Sequence, residues 1–166
     1  MSIRPKIEAA LSATADRLNP GSGAQAVRHA KNDLVTIDAT SENLSKRYAN
    51  EEVKIATPAL FETKHPAGDP VSIEKKHEGL IVVFADSFIF VRGMGFGARE
   101  VKALGKDDVS VERVTTVLDG AEVPGLRVSG RSGKPKFALA IAQAKDPGNQ
   151  TEQAAVRDEI YELLAR

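Results

Sequence analysis

The spacing of apolar residues changes character near residue 50. Before it, Ile7, Leu11 and Leu18 fall near one face of a helix, with Pro5 suited to a first helical turn and Asn19-Pro20-Gly21 as its stop. A second helix is predicted from about Ala24 to Leu34 and a weaker one from about Ser41 to Tyr48. These segments are rich in Ala, Ser and Thr and poor in large apolar residues. They are therefore expected to pack on the rest of the chain or on another copy of it.

After Tyr48, β-branched and aromatic residues become frequent, and Gly and Pro recur at turn-like spacing. Val53 to Phe61 reads as a Pro-interrupted edge strand, and Lys64 to Pro70 as a loop. Leu80 to Ala85 and Phe88 to Val91 are two apolar strands joined by Asp86-Ser87, the pattern of a hairpin. Gly93-Met-Gly-Phe-Gly97 is expected to break the second of them. Further short strands are predicted over Glu100 to Leu104, Val109 to Val117, Leu126 to Ser129 and Phe137 to Ile141. The chain then closes with an amphipathic helix. Asn149 and Glu152 stand at capping-box spacing, and Val156, Ile160, Leu163 and Leu164 recur at i, i+4, i+7 and i+8. The expected class is α+β: helices, then six or seven antiparallel strands, then one helix.

Composition narrows the function classes. The 166 residues carry 23 Lys and Arg against 23 Asp and Glu, so no global charge excess invites nucleic acid. Without cysteine there is no disulfide framework, thiolate metal site or cysteine nucleophile. The charged start, Met1 to Glu8, lacks the apolar core of a signal peptide, and no apolar run approaches membrane-spanning length, which points to the cytoplasm. The alanine content suits a high-GC bacterium or one of its phages.

Four pieces of the chain resemble the bacterial pleckstrin-homology-like domains of the YokE-like group. They are Asn50-Glu-Glu-Val53, Gly79 to Val91 with its strand-turn-strand wording, Lys106-Asp-Asp-Val-Ser-Val111, and the closing helix Ala155 to Leu164, together covering about residues 51–166. The resemblance implies a pleckstrin-homology-like bent antiparallel β-sheet, or partly open barrel, capped by the C-terminal helix. It implies binding or scaffolding and brings no catalytic residue. Two places depart from the family's wording: Ala85-Asp86-Ser87 stands where a Thr-Asp-basic turn is common, and Gly93 to Gly97 is longer than a minimal turn. Residues 1–50 have no counterpart and are expected to be a helical N-terminal extension.

Two constellations suggest contacts. Met94 and Phe96, within the glycine-bounded segment, suit protein contact or shallow membrane insertion. Between Glu122 and Asp146 the chain has no acid, while Arg127, Arg131, Lys134, Lys136 and Lys145 make a local basic stretch for a phosphate or anionic lipid. The bland alternative is a solvated hairpin whose charges meet acids elsewhere. The glycines do not form a nucleotide loop, because a strand rather than a helix is predicted after them. His29, His65 and His77 lack zinc-ligand spacing, no Gly-x-Ser-x-Gly elbow occurs, and Asp107-Asp108 reads as a turn. The expected function is a non-enzymatic binding or scaffold module without cofactor, acting on a protein partner or on a second copy of the chain. The alternatives are peripheral anionic-lipid or phosphate binding through the hairpin 127–136 and, more remotely, a small hydrolase using His77 and a neighbouring carboxylate.

Overall fold

A computed structural model describes residues 2–62, 70–141 and 150–165. The first helix, α1 (Arg4–Leu18), carries Pro5 in its first turn and buries Ile7, Leu11 and Leu18. The single helix expected over 24–34 is two: α2 (Gly23–His29) and α3 (Lys31–Asp38), separated at Ala30. The break redirects the chain so that Leu34 and Ile37 face inward, while Val35 is left exposed. The weaker helix contracts to one turn, α4 (Leu44–Arg47), because Asn43 before it takes a left-handed conformation, φ 55°, that a helix cannot include.

Seven strands follow: β1 (Ile55–Glu62), β2 (Val71–Val83), β3 (Ser87–Gly95), β4 (Ala98–Gly105), β5 (Val109–Leu118), β6 (Ala121–Gly130) and β7 (Pro135–Ile141); α5 (Gln150–Leu164) ends the described chain. The sheet order is β1-β7-β6-β5-β2-β3-β4, and β1 also pairs with β2, so five strands form a partial ring from which β3 and β4 extend. The sheet is mixed, which corrects the antiparallel expectation. Strands β2 and β5 run parallel where Val71 meets Thr116 and Ser72 meets Val117. Nor is β1 an edge strand, since it lies between β2 and β7. Its pairing with β7 begins at Ala59, immediately after Pro58, so the residue without an N–H stands where only β2 is paired.

Two further differences concern strand length. Strand β2 starts at Val71, well before the apolar run, and its first half carries exposed Glu74, Lys75 and Lys76. Charged residues hide strand character from a reading based on hydrophobicity. Strand β3 continues through Gly93 to Gly95, with an irregularity in its pairing to β4 between those two residues. The reversal is confined to Gly95, Phe96 and Gly97, all with positive φ. The loop expected over 64–70 lies outside the described residues except for Pro70, as does Asn149 of the expected capping box.

The unbroken apolar wording of β2 and β3 has a direct cause: both faces of these strands are buried. Ile81, Val83, Phe88 and Phe90 enter the core inside the ring, with Phe61, Phe137 and, from α5, Val156, Ile160 and Leu164. The neighbouring residues Leu80, Val82, Ile89 and Val91 point the other way and meet Ile7, Leu11, Leu34 and Ile37 of the N-terminal helices. The helices thus bury their few large side chains against the sheet. Phe137 is central to the inner core, its ring 4.3 Å from that of Phe90. Helix α5 is tied from two sides: Arg17 of α1 reaches Glu152 at 3.2 Å and Glu159 at 2.6 Å, and Arg113 of β5 holds Asp158 at 2.9 Å and lies over the Tyr161 ring.

Candidate functional site

Where α1, α2 and α3 cross the outer face of β1 and β2, they leave a cleft of about 340 Å³. Its apolar wall is made of Ala15, Leu18, Ala26, Ala30 and Pro58, and polar side chains gather around it: Gln25, His29, Asp33 and Glu78. Two glycines set its shape. A Cβ on Gly23 would lie 2.3 Å from Ser12 Oγ, so only glycine lets α2 approach α1 this closely, and the Gly23 N–H donates to Asp16 Oδ1 at 2.7 Å. A Cβ on Gly79 would lie 1.7 Å from the Val91 carbonyl oxygen, which requires glycine where β2 passes β3. Small side chains at 15, 26 and 30 keep the space open.

The polar groups of the cleft have unequal partners. His29 Nε2 stands 2.7 Å from Glu78 Oε1. Asp33 is 7% exposed, and its Oδ1 accepts no hydrogen bond. Arg99 Nε is 3.1 Å from that oxygen, close enough for an ion pair, but its N–H is not aligned for a hydrogen bond. Burial pushes the Asp33 carboxyl up to about 6; Arg99 opposes the rise, nearby Glu78 adds to it, and His29 opposes it more weakly. A dehydrated carboxylate bordering an apolar cleft is the arrangement expected of a ligand-binding group rather than of a surface charge.

The residues singled out from sequence lie elsewhere, in two separate places. Met94 and Phe96 are at the tip of the β3–β4 hairpin, Met94 half-exposed and Phe96 fully exposed. Beside them β4 pairs with β3 alone among the described residues, which makes it the edge of the sheet. The basic hairpin is partly consumed by internal pairing: Arg127 meets Glu112 at 2.6 Å across β6 and β5, and Arg131 Nε donates to the Asp107 carbonyl. Lys134 immediately precedes β7, and Lys136 lies within it. Even so, Arg131, Lys134 and Lys136 line one hollow of about 440 Å³, and Asp108 lines it with them. Lys145 lies outside the described residues.

His77 and Glu78, paired in the hydrolase reading, are successive strand residues whose side chains leave opposite faces. Glu78 meets His29 instead. His65 and Asp69 lie outside the described residues, and among those described no three His, Asp or Glu side chains are grouped to hold a metal ion. No described helix is long and apolar enough to cross a membrane. No protein-family model and no curated protein matches the chain.

Sequence reasoning missed the cleft because its walls come from three helices and two strands distant along the chain. One signal was present: Asp33 precedes Ile37 by four residues and follows Ala30 by three, placing an acid on the apolar face of α3.

Proposed function

We propose that this chain is a non-enzymatic binding module that acts through protein–protein contacts, with the β3–β4 hairpin as its principal contact. The observation that carries this reading is Phe96. Its ring is fully exposed, and its backbone is held at φ 53° between Gly95 and Gly97. A bulky residue in the left-handed region costs roughly 1 kcal/mol, and no burial within the chain offsets it. An exposed aromatic kept at such a cost suits a surface that becomes buried on a partner. The adjacent edge of β4 can add an extended segment of that partner to the sheet, since Arg99 and Glu100 are already engaged by Asp33 and Arg92. The partial ring with α5 packed into its core supports a pleckstrin-homology-like identity for the sheet and closing helix, and that identity favours binding over catalysis. A cytoplasmic setting accompanies the same reading.

The test compares the unaltered chain with a Met94→Ser, Phe96→Ser variant as baits, alongside light scattering of both. The reading requires a protein, or a second copy of the chain, held by the first and lost by the second while the melting temperature is kept. Equal capture and equal mass for both baits would remove the hairpin from the function.

A second reading, anionic-ligand binding at the 127–136 hairpin, draws on the hollow lined by Arg131, Lys134 and Lys136. Co-sedimentation with anionic vesicles at low salt, where screening is weakest, decides it: a protein left in the supernatant there has no such surface.

A further inference from the structure

We propose that the cleft between α1, α2, α3 and the β1–β2 surface binds a small organic ammonium ion, a compact hydrocarbon body bearing one protonated amine. The inference does not rest on the hairpin contact: neither Met94 nor Phe96 lines the cleft, although Arg99, just beyond the hairpin tip, pairs with Asp33.

Three observations lead to this chemistry. The size is right for a small ligand: about 340 Å³ falls at the low end of small-molecule sites. The wall is hydrocarbon, from Ala15, Leu18, Ala26, Ala30 and Pro58, and would hold an apolar body. The polar groups are predominantly acidic. Asp33 and Glu78 border the cleft, Arg99 is the one permanently charged cation paired with either among the described residues, and His29 faces Glu78. Counting the permanent cation alone, Arg99 balances one of the two carboxylates, Asp33 and Glu78. An anionic ligand would meet two carboxylates and be repelled. A hydrocarbon ligand would leave the buried Asp33 Oδ1 without a hydrogen-bond donor, a state that is costly for a carboxylate, and a neutral alcohol would supply a donor but no charge. A protonated amine supplies both the missing charge and the missing N–H donors.

Acidic clusters on protein surfaces are common and attract only counterions. Asp33 differs in being more than nine-tenths buried, without a hydrogen bond at Oδ1 despite the ion pair to Arg99, and placed at the border of a formed apolar cleft. Desolvation strengthens its attraction for a cation relative to a solvated carboxylate.

The experiment uses three probes of one shape on the full chain: 2-phenylethylammonium, 2-phenylethanol and phenylacetate, titrated by calorimetry and by chemical-shift mapping. The ammonium probe is expected to bind, with shifts centred on Ala26, Ala30, Asp33 and Gly79, and about tenfold or more tighter than the alcohol. Phenylacetate is expected not to bind. Asp33→Asn, which keeps the side-chain shape, should remove the advantage of the ammonium over the alcohol. Ala26→Leu, at a half-buried helical site, should block both probes without unfolding the chain. Equal binding of ammonium and alcohol, an unchanged preference in Asp33→Asn, or shifts located outside the cleft would each overturn the proposal. So would absence of ammonium binding to the unaltered, folded chain.

Discussion

Replacing Asp33 by Asn should stabilise the protein at neutral pH and remove part of the pH dependence of its stability. The folded carboxyl titrates at about 6, against an ordinary 3.8. The folded state therefore holds the proton more tightly than the unfolded chain. Stability from this group is complete below about 3.8, declines as pH rises through the interval to about 6, and stays lowered above it. The full difference corresponds to about 3 kcal/mol. Water at the cleft mouth screens part of it, so ~1–3 kcal/mol is expected in favour of Asn at pH 7.5, or about 2–4 °C in melting temperature per kcal/mol for a chain of this size. The groups facing the carboxyl are Arg99 from β4, Glu78 from β2 and His29 from α2, and Asn leaves all three in place. The chain has no tryptophan, so urea unfolding followed by far-UV circular dichroism from pH 4 to 7.5 is the suitable assay. The Asp and Asn curves should converge near pH 4 and separate above it. Parallel curves across the range would refute the account of Asp33 as a carboxylate dehydrated by burial.

Phe96→Gly should raise stability by about 0.5–1 kcal/mol in thermal unfolding, because glycine adopts the tip conformation without the Cβ penalty and no packing is lost. Gly79→Ala should unfold the protein or destabilise it by several kcal/mol in urea titration, because the added Cβ meets the Val91 carbonyl oxygen at 1.7 Å and backbone must move; a neutral effect would show that β2 and β3 are not this close. Glu62→Ala should cost ~3 kcal/mol: the buried carboxylate pairs with Arg92 and accepts the Ala138 N–H at 3.1 Å, so its removal strands that N–H and leaves Arg92 with Glu100 alone. Glu62→Gln, which retains an acceptor, should cost less in the same urea titration.

The sequence by itself determined the elements that bury one face or two. Helix α1 was legible because Ile7, Leu11 and Leu18 recur on one stripe, and the β2–β3 hairpin because two apolar runs flank Asp86-Ser87. The two-sided burial behind those runs was implicit in their lack of alternation. Elements with weak or misleading patterns were misread for physical reasons. The charged half of β2 is strand without being core, Ala30 interrupts a helix without Gly or Pro, and Asn43 shortens one by its backbone angle. The Met94 and Phe96 tip was legible because exposure at a glycine-bounded turn is a local property.

Charge partners, in contrast, were decided only by the tertiary structure. Arg127 read as part of a basic patch and is paired to Glu112, fifteen residues away. The parallel β2–β5 contact, the closure of the ring by β1 and β2, and the meeting of His29, Asp33 and Glu78 around one cleft all join residues far apart along the chain. Periodicity records which side of an element is buried. It carries no record of which other element buries it, and that choice settles where a dehydrated acid and a hydrocarbon wall come together.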